Sequence, residues 1–211
     1  MAQEIALPKN NAIYNTTQPR LTQQILQQLR QVDASPTKDT LAKVYVNLEQ
    51  ILAPALIRVS YDAYIQAARQ VDAVVDATHS LRLAREARLR AKQSSRWVTD
   101  TTGKAYGIIK AMGAKMAISE GRADLIAVNE LSLQFFGGTR YGWGLDPTAR
   151  KTWELSDGHD VDDTCDDNAD DGPILIVDAF TSGDFIPPAH INCDCYLGLV
   201  RVKTTKRSYF F

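Results

Sequence analysis

Cysteine and histidine are scarce in this chain, with three of each in 211 residues. Three cysteines are too few, and an odd number, for a disulfide framework, so the expected setting is a reducing compartment. No apolar run approaches the roughly 18 residues that would span a bilayer, which excludes a membrane-embedded class. Residues Met1 to Thr17 are polar and lack the apolar core of an export signal, so the expectation is synthesis and folding in the cytoplasm. A nucleotide-binding glycine loop, a catalytic triad and an internal repeat are all lacking. The net charge of −1 points by itself to neither nucleic acid nor a membrane surface.

That near-zero total conceals an uneven distribution. Eight of the 25 acidic residues are aspartates between Asp157 and Asp171, a stretch with no Lys or Arg, so the rest of the chain is net positive. A basic body with one acidic loop suits oriented assembly or cation binding. The basic residues themselves concentrate from Arg82 to Arg96: Arg82, Arg85, Arg88, Arg90, Lys92 and Arg96 against the single acid Glu86. This segment would contact DNA phosphates or an acidic protein surface, or else form a solvated helix face. It carries no interleaved aromatic, so base stacking is not expected.

Hydrophobic periodicity predicts an α+β protein, mostly helical at its N-terminal end with a small, loop-rich C-terminal part of short strands. Residues 1–17 read as an extended arm that a partner would order. Residues 18–103 read as a helical assembly region. Leu21, Ile25, Leu29 and Val32 form a narrow stripe expected to bury against another chain. Ser35-Pro36 marks a stop and restart. Leu41, Val44, Tyr45, Leu48 and Ile51 form the next helix, which Pro54 is expected to interrupt or kink. Leu56 to Val75 continue with a helical apolar face, and Asp100 to Gly103 read as a turn. Helices are expected over 104–119 and from Arg122 to about Phe136, with Gly137-Gly138 and Gly142 to Pro147 as a glycine-rich connection. Strands are predicted at Lys151–Ser156, Ile174–Ala179 and Tyr196–Lys203, and 204–211 form a tail.

Scarce residues meet near the C-terminal end. His190, Cys193 and Cys195 fall within six positions behind Pro187-Pro188, and Cys165 lies upstream beside the aspartates. Together they would make a Cys3His zinc site, because four thiolate and imidazole ligands close a structural site and would hold a loop-rich region together. The alternative is buried thiols with a hydrogen-bonded histidine. Asp166-x-Asn168-x-Asp170-x-Gly172 places oxygens at alternate positions, as a Ca²⁺ or Mg²⁺ loop does, but its twelfth position is Val177, so a solvated loop is expected.

Arg122-Ala123-Asp124-Leu125-Ile126-Ala127-Val128-Asn129-Glu130 resembles the R-A-x-x-I-A-x-T-E helix of the Mu F-like phage head morphogenesis family. The likeness continues in order through Lys151-Thr152-Trp153, Asp163-Thr164-Cys165 and Pro187-Pro188-Ala189-His190-Ile191-Asn192-Cys193-Asp194-Cys195. It covers 104–203. Asn129 replaces the family's Thr, Asn168 stands where a second Cys is expected, and Asp194 replaces an Arg. The resemblance implies a minor head protein in the virion, associated in several copies with the portal or the capsid interior, and not an enzyme. In it Arg122, Glu130, Trp153, Pro187 and Pro188 are structural motif positions. The contrasting expectation is a nuclease or an ADP-ribosyltransferase-like domain delivered with the virion, with His190 or Glu130 as reactive group.

Overall fold

The computed structural model describes residues 3–6, 8, 11–35, 37–111, 119–157, 159, 163–190 and 193–201, with side chains except at 3–6, 33 and 105–111. Strand β1 (Gln3–Ala6) leads into α1 (Ala12–Ala34), α2 (Lys38–Gln70), α3 (Ala77–Ala111) and α4 (Glu120–Trp143). Then come β2 (Arg150–Glu154), α5 (Thr164–Asp170), β3 (Ile174–Leu175) and β4 (Tyr196–Val200). The α+β reading holds: four long helices precede a small antiparallel sheet of order β1-β4-β2-β3.

The helix starts follow local chemistry. Asn11, Thr37 and Ser119 cap α1, α2 and α4 in extended geometry, their side-chain oxygens accepting backbone N–H groups of the first turn. The stripe of α1 does not await another chain. Leu21, Ile25, Leu29 and Val32 are at most 1% exposed and belong to one core with Val44, Leu48, Leu52 and Leu56 of α2. At about 1.5–3 kcal/mol per fully buried aliphatic side chain, this one stripe is a major contributor to stability.

Helix α2 runs unbroken through Pro54, and α1 through Pro19. Tertiary burial on both sides outweighs the lost hydrogen bonds. The expected turn at Asp100–Gly103 lies inside α3, so the division at 103/104 falls within a helix. The boundary at 17/18 likewise falls inside α1. Of the expected 104–119 helix, 112–118 lie outside the described residues.

The expected glycine connection at Gly137-Gly138 is a helix too, because α4 continues to Trp143. The glycines allow α4 to lie against α2 almost backbone to backbone. A Cβ on Gly138 would sit 2.1 Å from the Ser60 carbonyl oxygen, and one on Gly142 would sit 2.5 Å from Ala67 Cβ. Trp143 ends this contact fully buried, donating its indole N–H to Gln70 Oε1 at 2.7 Å.

The N-terminal arm is also corrected. Gln3–Ala6 pairs antiparallel with β4, from Gln3↔Val200 to Ala6↔Leu197. The chain's own sheet holds this segment, because β4 would otherwise present an open edge of unpaired backbone groups. On its other side β4 pairs with β2, placing Trp153 opposite Leu197. The three expected strands exist in shorter form, and Lys203 and the 204–211 tail lie outside the described residues.

Candidate metal centre

The centre is built on α5. Asp163 and Asp166 form a reciprocal capping box: Asp163 Oδ1 accepts the Cys165 N–H at 2.7 Å, and Asp166 Oδ2 accepts the Asp163 N–H at 3.1 Å. This fixes the first turn and points Cys165 inward, where it is fully buried. From the opposite side comes the loop through Pro187 and Pro188, whose joining peptide bond is cis. Ile191 and Asn192 of this loop lie outside the described residues.

Cys165, His190 and Cys193 converge. Cys165 Sγ lies 3.4 Å from His190 Nε2 and 3.6 Å from Cys193 Sγ. Bonds of about 2.3 Å to sulfur and 2.0–2.1 Å to nitrogen put tetrahedral zinc ligands about 3.5–3.8 Å apart. The observed separations fit that spacing, and the three donor atoms form a group able to hold a metal ion. Cys195, expected as the fourth ligand, does not join the close group of the other three donor atoms, but it is buried just before β4 beside Cys193 and Cys165. The three thiols therefore share one small volume.

Their protonation is uneven. The Cys195 thiol beside Cys193 pulls the latter's pKa down to about 5, against the effect of burial. Burial pushes Cys165 up to about 12. Cys195 moves upward, first because its thiol is bonded to Cys193 and then through burial. A thiolate at Cys193 with two thiol neighbours is a cluster ready to exchange protons for a cation. Cys193 also lines a cavity of about 420 Å³ shared with Tyr14, Ser132 and Tyr196, so solvent reaches the centre from the α4 side.

Two further histidine–aspartate contacts adjoin it. Asp163 Oδ2 lies 3.0 Å from His190 Nε2, and His159 Nε2 lies 3.0 Å from Asp166 Oδ1. Burial works to raise the Asp163 pKa, but the Cys165 N–H and both histidines outweigh it and hold the carboxyl below its ordinary value. Sequence reasoning missed His159 and the ligand geometry of Asp163 and Asp166; the signal was a histidine set among the aspartates. Asn168, at the expected second-cysteine position, does not join the centre. It is fully buried, and its Oδ1 accepts the Ser182 N–H at 3.1 Å. The Ca²⁺-loop spacing fails for a simple reason: residues 164–170 are helical, so alternate positions no longer converge.

Supporting residues hold the His190 loop. Lys151, fully buried in β2, donates to the Asp178 carbonyl at 2.6 Å and the Phe185 carbonyl at 2.8 Å. Its ammonium also lies over the Phe180 ring at 4.8 Å. Burial pulls its pKa down to about 7. Trp153 stacks edge-on against Phe180, and Arg140 of α4 donates to the Ile176 and Val177 carbonyls.

The remaining predicted residues lie on α3 and α4. Glu130 is buried and paired with Arg90; Arg90 Nε and Nη2 reach its two oxygens at 2.6 and 2.9 Å. Arg90 therefore leaves the partner-binding set, because its charge is used within the fold. Arg122 donates to the Thr101 and Thr102 hydroxyls. Arg82 pairs with Glu86 and lies over the Tyr141 ring at 5.0 Å. Arg85, Arg88 and Lys92 are exposed, as is Arg96, which sits 3.8 Å from Asp100. Among the aspartates, Asp163, Asp166 and Asp171 serve internal bonds, Asp171 to Thr181, while Asp160 and Asp162 lie outside the described residues.

No family model, curated protein or solved structure matches this chain. Among the described residues, no helix is long and apolar enough to cross a membrane.

Proposed function

We propose that this chain is a structural minor head protein of a tailed phage, made in the host cytoplasm and built into the virion head. In this reading it sits in several copies against the portal or the capsid interior and acts in head assembly or DNA packaging, without catalysing a reaction. The observation that carries it is the meeting of the C-terminal Mu F-like motif positions at one place. Cys165, His190 and Cys193 cluster, Cys195 adjoins them, and Trp153 braces the loop that brings His190 in.

The outer face of α3 supplies the contact surface. Arg85, Arg88, Lys92 and Arg96 recur at helical spacing beside Leu81, Leu89 and Trp97, which are 74%, 52% and 53% exposed. Large apolar side chains at that exposure, rimmed by charge, suit a partner surface or phosphates. Zinc held by Cys165, His190 and Cys193, with Cys195 as the fourth ligand, would close the small C-terminal layer as a structural site.

The test is co-expression with the portal and major capsid proteins of the phage that encodes this chain, followed by sedimentation of the heads and mass spectrometry. Recovery of this chain in heads in several copies is the expected result. Heads that assemble and package DNA normally while excluding it would overturn the reading.

A further inference from the structure

We infer that copies of this chain join to one another, the basic outer face of α3 in one copy docking on the acidic surface around α5 in the next. This contact rests on the reading of the chain as a head protein present in several copies, and it names what fills the α3 face.

The two surfaces are opposite in charge, and neither is neutralised within one chain. Arg85, Arg88 and Lys92 recur at three- and four-residue spacing, so they share one side of α3, and all three are exposed. On the other surface, Thr152 to Val200 contain no Lys or Arg, against eleven aspartates and Glu154. Asp167 and Asp170, three residues apart on α5, are exposed. Among the described residues, none of these five side chains enters an ion pair. The opposite side of α3, with Leu83, Ala87, Ala91 and Val98, is buried, so the cations turn away from their own core.

Apolar side chains accompany the charge on both surfaces. Leu81 and Leu89 stand exposed among the α3 cations, while Val177 and Phe185 of the acidic segment are 65% and 42% exposed. A protein interface needs an apolar centre that excludes water and a rim of complementary charge. DNA phosphates would match the α3 cations but leave the leucines and the whole acidic surface without a partner. The acidic surface of a second copy matches cations and leucines together. It also offsets the mutual repulsion of the clustered aspartates, which a lone copy carries uncompensated.

The two faces differ, so the contact is heterologous. Each copy offers one face of each kind, and copies extend into a row or close into a ring. A row leaves one α3 face free at its end for another partner.

The experiment is sedimentation velocity of the reduced full chain over a range of concentrations at low and high salt. Self-association is expected at low salt, and screening should weaken it by about tenfold or more at high salt. The α3 variant Arg85→Glu, Arg88→Glu, Lys92→Glu and the α5 variant Asp167→Lys, Asp170→Lys should each lose it, with circular dichroism confirming the fold. Mixing the two variants should restore association, because a reversed α3 face then meets a reversed α5 face. Asp167→Asn with Asp170→Asn only removes charge, and it should weaken association should a reversal fail to fold. A natural chain that stays monomeric, whether or not it binds duplex DNA or the portal, would overturn the inference. Association that survives the changes on both faces, or folded reversed variants that stay apart when mixed, would overturn it too. The head reading is judged separately: a monomeric chain recovered from heads leaves that reading standing, and a self-associating chain excluded from heads overturns that reading alone.

Discussion

Arg90 and Glu130 face one another across the α3–α4 contact, joined by hydrogen bonds of 2.6 and 2.9 Å to the two carboxylate oxygens. The pair is asymmetric, since Glu130 is 7% exposed and Arg90 36%. Removing Arg90 strands a buried anion, whereas removing Glu130 leaves a cation that can turn to water. Arg90→Ala should therefore cost about 2–4 kcal/mol and Glu130→Ala less. Denaturant melts of the two variants check this order. Equal or reversed costs would contradict the pair's internal role.

The α2–α4 contact gives a sharper steric test. Gly142→Ala and Gly138→Ala place a methyl group against backbone atoms and should each destabilise by about 1–3 kcal/mol or more, as overpacking does. Gly137 is the control. Its added Cβ would meet only Ile186 Cδ1 at an ordinary 4.0 Å, so Gly137→Ala should be neutral or stabilising by up to about 1 kcal/mol. Thermal melts of all three variants decide the matter.

Lys151 predicts a pH dependence. Its folded pKa is about 7, against an ordinary value of about 10.4 in the unfolded chain. Between these values the unfolded chain holds a proton that the folded chain has released, so this group makes stability rise with pH. The slope from this group is at most about 1.4 kcal/mol per pH unit. The carbonyl and aromatic partners of the ammonium oppose it. Comparing natural chain and Lys151→Met from pH 7 to 8.5 isolates the effect from the cysteines. The variant should show a flatter profile, and parallel profiles would sink the prediction.

The exposed face of α3 should behave oppositely to Arg90. Replacing Arg85, Arg88 and Lys92 together by Ala removes no ion pair among the described residues. The melting temperature should hardly move, while association with DNA or portal weakens and loses part of its salt dependence. Fluorescence titration at two salt concentrations checks it. A large loss of stability with unchanged binding would show these residues to be structural.

The long helices, the three C-terminal strands and the gathering of Cys165, His190 and Cys193 were legible because each leaves a local mark: apolar spacing, alternation, or rare residues close together. What was not legible is two-body information. Glycine reads as a break until α2 is known to lie against it, as at Gly138 and Gly142. Arg90 looks like its exposed neighbours Arg88 and Lys92 until Glu130, forty positions on, is placed opposite. The β1 segment carries no periodicity that names β4 as its partner. His159 stood within the acidic stretch, yet spacing alone gave no reason to turn its ring toward Asp166.

The pairing of β1 with β4 has a temporal meaning. Gln3 emerges during synthesis long before its partner Val200. The four-helix layer can collapse as it is translated, while the sheet has to wait for the ribosome to reach its central strand. Cys193 and Cys195 immediately precede that strand, so the cysteine–histidine cluster and the sheet become complete in the same stretch of synthesis. A chain halted before residue 193 would present a helical layer with neither.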